Sequence, residues 1–361
     1  MKKEKMKKKS YFSYVAIPVV FALIMILYKL EIINAYWYQI LQLCSVNAIV
    51  AMSLNLINGI TGQFSLGQAG FMSVGAYTSA MLTKLVFAPL MTNPVSTYAL
   101  FILAVFVGAA MAALIGLLIG IPSLRLRGDY LAIITLGFSE IIRVVWRLIP
   151  FAGQARGLNS IVQYTTFPLL FIAVIAVMLL LRNFTASAYG RGCVAIRDNE
   201  LAAEVMGINT TRKKIVSFIF SAFIAGLGGA MYAHLMMFIN PEMFNQSKST
   251  DMLMYLYVGG VGSYSSAMLG ALIFTILPEF LRFIGEWRLV VFALTLVLIM
   301  LNRPKGIFGK HEFGFMRFGE PENQWQKADN AGMLEELFLN VKKRTKRTRS
   351  KESSSNLSKR G

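Results

Sequence analysis

Apolar residues run along this chain in blocks of about 20, the length that carries a helix across a bilayer at about 1.5 Å rise per residue. Such blocks fall near 12–30, 36–58, 70–87, 97–120, 130–149, 166–182 and 214–238. The stretch from 251 to 302 then holds a short block (251–262), a long one (264–284) and a last one (286–302). The pattern predicts an all-α polytopic membrane protein with about 8 to 10 transmembrane helices. Ten result if 251–262 crosses, and eight if 251–284 is a re-entrant broken pair.

Polar residues interrupt this pattern at two places. Leu54 to Ala80 carries Gly59, Gly62, Gly67, Gly70 and Gly75 among Asn55, Asn58, Thr61, Gln63, Ser65 and Gln68. Tyr257 to Ala271 clusters Gly259, Gly260, Gly262 and Gly270 with serines. Lipid satisfies no backbone N–H or C=O, so irregular backbone at membrane depth is buried in protein or faces a water-filled cavity. Broken or re-entrant segments at matching places in two halves point to an internal, inverted repeat and a substrate path at its interface. Close helix packing through small residues is the competing use of the same glycines. For the path, Gln63, Ser65 and Gln68, with Asn55 and Asn58 one turn apart, offer uncharged donors and acceptors to a polar solute, and Gly259, Gly260 and Gly262 form the second break.

Composition sharpens the class. Apolar residues make up 56% of 361 positions, mean hydropathy is +0.57, and charged residues fall to 15%, well below the ~25% of soluble domains. The two cysteines, Cys44 and Cys193, and the two isolated histidines, His234 and His311, form no disulfide framework or metal cluster. The formal charge of +18 sits mostly at the ends: residues 2–9 hold six Lys and one Glu, and 341–361 hold nine Lys or Arg and one Glu. Basic residues flanking spans stay on the cytoplasmic side. The domain reading is therefore a basic cytoplasmic N-terminus (1–10), a transmembrane domain (11–302) with a cytoplasmic loop at 183–213, and a cytoplasmic tail (303–361), basic and disordered after 341. Arg125 and Arg127 also fall inside. The first helix reads as an uncleaved anchor. The basic ends adhere to anionic membrane lipids, and no nucleic-acid reader domain accompanies them. In the tail, 331–343 has the pattern of an interfacial amphipathic helix.

Two charged features remain. In 190–214 the loop opens with Gly190 and Gly192. Asp198 is placed as a helix N-cap and Gly207 as its stop, enclosing about two turns, ~12 Å. Arg197, Glu200 and Glu204 give this short helix charge around Ala202 and Ala203, and Leu201, Val205 and Met206 give it an apolar side suited to a groove in another protein, or to lipid. Inside the membrane block 130–149, Glu140 and Arg143 are one turn apart and followed by Arg147. Charge at that depth pairs or faces water, so the two either join helices or hold a charged group of a passing solute.

The segments SLNLINGITGQFSLGQAGFMSVGAYTSA, GDYLAIITLGFSEIIR, VAIRDNELAAEVMGIN, GGVGS and NRPKGIFG, in this order over about 36–309, together resemble the permeases of ABC importers for branched-chain amino acids, the more asymmetric of the two related subunits. The resemblance implies a non-catalytic transport subunit for Leu, Ile or Val. It also implies a second related permease, two cytoplasmic ABC ATPases that use ATP and Mg, and an external solute-binding protein, with 198–207 as the coupling helix. No phosphate-binding loop of the Gly-x-x-x-x-Gly-Lys-Ser/Thr type occurs, since GIFGK (306–310) has the wrong spacing and is followed by His311. The chain departs from the family pattern at Ser266 and Ala267, where many relatives have Gly-Pro, and at Ala152, Gly153 and Gln154, where many have Thr-Gly-Gly. Relatives of the same architecture carry urea, short amides or sugars. An ion-coupled secondary transporter, using Glu140, is the alternative from another class.

Overall fold

The computed structural model describes residues 34–87, 93–123, 128–287 and 306–309, with isolated positions at 25 and between 290 and 301. The block at 12–30, most of that at 286–302, Arg125, Arg127, His311, 331–343 and both basic ends lie outside the described residues. The helices are α1 (Ala35–Asn55), α2 (Gln68–Met81), α3 (Pro94–Ser123), α4 (Asp129–Leu148), α5 (Phe167–Ala186), α6 (Ala188–Asp198), α7 (Glu200–Val205), α8 (Thr210–Met236), α9 (Gln246–Gly259) and α10 (Tyr264–Phe280). A π turn carries α1 on to Thr61 and another carries α2 on to Val86. Among the described residues five stretches are long and apolar enough to cross a membrane: Ala35–Thr61, Val95–Ser123, Phe167–Ala186, Thr210–Met236 and Tyr264–Gly285. The 20-residue α4 is as long as α5, but Glu140, Arg143 and Arg147 lower its hydropathy.

Burial is built by backbones in close approach. α8 lies against α1, α2 and α3, and α10 lies against α1 and α9. A Cβ at Gly75 of α2 would collide with the Gly226 carbonyl of α8, and one at Gly108 of α3 would come within 2.8 Å of the Gly75 carbonyl. With lipid as apolar as the side chains, association rests on such packing rather than on water exclusion. Ile49, Met52 and Leu54 of α1 and Tyr77 of α2 are buried in this core. The outward face of α3, with Ile102, Leu103, Phe106, Leu114 and Leu118 exposed, carries no charge and suits lipid.

The direction of each helix follows from its contacts. Lys248, at the start of α9, lies 5.6 Å over the Tyr232 ring near the end of α8, whereas α9 ends beside Asn55 and Arg197, in the region where Cys193 meets Ser217 near the start of α8. At about 21 Å for 14 residues, α9 runs from the Tyr232 end of the bundle to the end where Asn55 and Arg197 lie. At both glycine-rich breaks the chain reverses direction, and both reversals lie at the same end. The breaks differ in build. The first is the π turn Leu56–Thr61 followed by non-helical residues 62–67, and the second is the turn at 260–263.

One expectation is corrected. Residues 188–198, read as the glycine-opened start of a loop, are helical in α6, capped by Ser187, whose side chain accepts the N–H groups of Tyr189 and Gly190. Gly190 serves packing there, because a Cβ would strike Phe184 and Thr185. Asp198 therefore ends α6 and does not cap α7. The N-cap is Asn199, whose Oδ1 accepts the Ala202 N–H at 3.0 Å.

Candidate functional site

The two breaks, the C-terminal end of α6 and residues 306–309 meet at one place. In the first break Gly62 holds φ +72°, a left-handed conformation that favours glycine and ends the π turn. Asn55 is buried, and its Oδ1 accepts the Gly262 N–H at 2.9 Å, which joins the breaks directly. Asn58 Oδ1 accepts the Ser65 N–H at 3.1 Å, and the buried Ser65 Oγ accepts the Gly67 N–H at 3.4 Å. Gln68 Nε2 donates to Ser53 Oγ at 3.0 Å and to Ser221 Oγ at 2.7 Å, tying the start of α2 to α1 and α8. Thr135 of α4 accepts the Leu66 N–H at 3.1 Å and covers the break from a fourth side. Five buried amide atoms here have no hydrogen-bond partner among the described residues: Asn55 Nδ2, Asn58 Nδ2, Gln68 Oε1 and both polar atoms of Gln63. Such a concentration is rare in a settled core.

In the second break Gly259 packs on the Ser266 backbone, Gly260 on Gly309, and Gly262 on Gly59 and Arg197. The returning chain is laced to α9 by Ile307 N–H to Val258 O at 2.9 Å and Phe308 N–H to Gly259 O at 3.1 Å.

The short helices are attached as one unit. Glu200 accepts from Lys214 Nζ at 2.6 Å, and Glu204 accepts from Thr210 Oγ1 at 2.9 Å, so both carboxylates bind the start of α8. Gly207 (φ +80°) closes α7 with its N–H on Glu204 O and the Ile208 N–H on Ala203 O, a Schellman end. Ala203 faces inward, leaving Leu201 64%, Val205 87% and Met206 81% exposed beside Ala202. Cys193 is buried against Ser217 Oγ at 3.1 Å, and burial pushes its thiol pKa up. Because the thiolate is the nucleophile, N-ethylmaleimide is expected to modify Cys193 at least roughly tenfold more slowly in the folded protein than after denaturation. Mass spectrometry of the alkylated peptide checks this.

The charges of α4 form a separate group at the opposite end. Glu140 and Arg143 are ion-paired as their spacing predicts, and Arg143 Nη1 also donates to Glu242 at 2.9 Å. Glu242, in the turn Pro241–Phe244, pairs with Arg147 as well. Replacing Glu140 by Gln is expected to cost about 1.5 to 2 kcal/mol, because the mostly buried Arg143 loses one charged partner and keeps Glu242. The more exposed Glu242→Gln is expected to cost about 1 kcal/mol. Thermal unfolding in detergent measures both, and the order of the two is the test. Trp146 of the same helix stacks on Tyr77 at 4.5 Å and donates to Ser73 Oγ at 3.2 Å, holding α4 on α2.

The predicted site residues thus divide. Asn55, Gly259, Gly260, Gly262, Arg197 and Asp198 come together, with Asn58, Gln63, Ser65 and Gln68 along the same break, while Glu140 and Arg143 stand apart and are linked to it through α4. Sequence reasoning missed Glu242, Ser53, Ser221, Thr135 and Lys214. All are distant in the chain from their partners, and none carries a local signal. Asn199 had one, as a residue type equal to Asp at an N-cap.

Residues 36–300 match a family described as branched-chain amino acid transport system / permease component. The high-affinity branched-chain amino acid transport system permease protein LivM of Escherichia coli is 30% identical over 305 residues, covering 74% of this chain and 69% of the relative. Permease protein LivH of the same organism is 25% identical over 298 residues, covering 74% and 92%. Permease protein BraD of Pseudomonas aeruginosa is 24% identical over 287 residues, covering 74% and 93%. No solved structure matches. The matched span takes in both breaks, α4 and the short helix pair, so the whole junction lies inside it except residues 306–309, and the chain belongs to the branched-chain amino acid transport permease family.

Proposed function

We propose that this chain is one permease subunit of an ATP-driven importer of Leu, Ile and Val. A second related permease completes the pathway, two ABC ATPases use ATP and Mg on the cytoplasmic side, and an external solute-binding protein delivers the substrate. The junction end is cytoplasmic in this reading, as are both termini, and Glu242 faces outward. The observation that carries the reading is α7. Three large apolar side chains stand exposed on a short helix at the end where both breaks reverse, and an exposed apolar patch of this kind marks a docking surface. Pull-down in mild detergent is expected to recover ATPases and a second permease, and vesicles holding the complex should take up leucine in competition with isoleucine and valine but not urea. Recovery of the chain alone, with leucine uptake driven by an ion gradient, would overturn the reading.

The substrate path in this reading follows α4, from Glu140 and Arg143 to the uncharged amides of Asn55, Asn58, Gln63 and Gln68. Gln63 gives the cleanest test. Its amide has no partner among the described residues, so Gln63→Leu removes none of their hydrogen bonds and should not destabilise the fold. Uptake of leucine is expected to slow about tenfold at equal ATPase content, the equivalent of one lost hydrogen bond to a zwitterion. Unchanged uptake kinetics would remove Gln63 from the path.

A further inference from the structure

We infer that Arg197 does not face the ATPase but is the arm through which movement of the α6–α7 pair reaches both broken segments at once. This rests on the importer reading above. Arg197 Nη1 donates to the Gly59 carbonyl at 3.1 Å. Gly59 lies in the π turn that ends at Thr61, so no N–H further along the same helix is available to that carbonyl, and the break itself creates the acceptor that Arg197 takes. A Cβ at Gly262 would lie 3.6 Å from the same Nη1 and 3.7 Å from the same carbonyl. One guanidinium nitrogen therefore sits between the two breaks. The stem is seated as closely as the head, since a Cβ at Gly62 would come within 2.8 Å of Arg197 Cγ. Asp198 holds the other donors, with Oδ1 accepting from Nε at 3.1 Å and Nη2 at 3.0 Å. A planar fork can serve two partners in this way, and a lysine ammonium on a flexible stem cannot fix both.

The far side of the arm is rigid. Asn199, the one residue between α6 and α7, donates its N–H to Ala195 O and accepts from Ala203 N–H, so the two helices share hydrogen bonds across their joint. Tyr189 OH donates to Arg212 O at 3.1 Å, and Lys213 Nζ lies 3.9 Å over the Tyr189 ring. A partner that displaces Leu201 and Val205 must therefore displace Arg197 too, withdrawing the donor from Gly59. Asn55, which already links Gly262 to the first break, makes the two breaks respond together.

The test uses the full complex with its ATPases in proteoliposomes, comparing wild type, Arg197→Lys and Arg197→Ala. Arg197→Ala is expected to keep all subunits and most ATP hydrolysis while leucine moved per ATP falls at least tenfold, with Arg197→Lys between. A general folding defect would lower hydrolysis and transport in parallel and leave that ratio alone. A second measurement does not depend on the substrate. A cysteine at Ile60, a buried position in the π turn, should be alkylated at a rate that changes with nucleotide in the wild-type background and not with Arg197→Ala. Loss of ATPase binding by Arg197→Ala, an unchanged transport-to-hydrolysis ratio, or labelling at Ile60→Cys that responds to nucleotide equally or not at all in both backgrounds would each overturn the inference. Failure of the wild-type complex to import leucine would condemn the proposed substrate while leaving the labelling result to decide on Arg197.

Discussion

Valine at Gly226 is expected to leave almost no folded permease in the membrane. Three helices converge on this position. A Cβ there would collide with Ala112 Cβ and lie 3.1 Å from Ala109 Cα of α3, while the Gly226 carbonyl already fills the space beside Gly75 of α2. The obstacle is largely backbone, which cannot change rotamer, so α3 or α2 must move away from α8. Ordinary overpacking costs about 1 to 3 kcal/mol. Displacing a whole helix forfeits packing along its length, and in a membrane that packing is most of what holds helices together. The loss should exceed about 3 kcal/mol and appear as missing monodisperse protein in size-exclusion chromatography. Gly137 of α4 is the control, since a Cβ there meets nothing within 4 Å. Gly137→Ala should retain full yield and gain slightly from the better helix propensity of alanine. Normal yield of Gly226→Val would show that the three-helix seam is looser than its geometry requires.

Aspartate at both Leu201 and Val205 is expected to abolish ATPase association and with it uptake. Neither side chain packs within the chain, being 64% and 87% exposed, so the fold should be indifferent to the change. In a docked groove each would sit in the desolvated centre of an interface, where single residues carry about 2 kcal/mol or more. Two buried, unpaired charges would then weaken association by roughly 1000-fold or more. Co-purification of ATPases with the doubly substituted permease, at wild-type thermal stability, gives the readout. Retained ATPases would mean that α7 lies on lipid. Exchange of Glu200 for Lys is a less specific probe, because it sets a second cation against the mostly buried Lys214 and loosens α7 from α8.

The Glu140–Arg143 pair was legible because residues three apart on a helix share a face. The glycine-rich breaks were legible as composition, but not what they touch. Gln68 illustrates the difference: its residue type marks a polar site, yet its amide nitrogen is committed to Ser53 and Ser221. The side-chain amide of Gln63, five residues earlier and chemically identical, has no partner among the described residues. Nothing local distinguishes the two. Glu200 and Glu204 likewise read only as charge on the short helix, and the fold turns them onto Lys214 and Thr210.

What the sequence determined by itself was the membrane class, the two breaks and the short amphipathic helix, because these depend on hydrophobic runs and glycine clusters within a few turns of chain. The family followed from the order of its motifs. The tertiary structure decided that both breaks reverse at one end, that Arg197 lies between them, that α9 runs from one end of the bundle to the other and that Glu242 joins Glu140, Arg143 and Arg147. Each of these is a contact between residues tens to hundreds of positions apart, set by how closely helices pack, and a one-dimensional pattern carries no record of that distance.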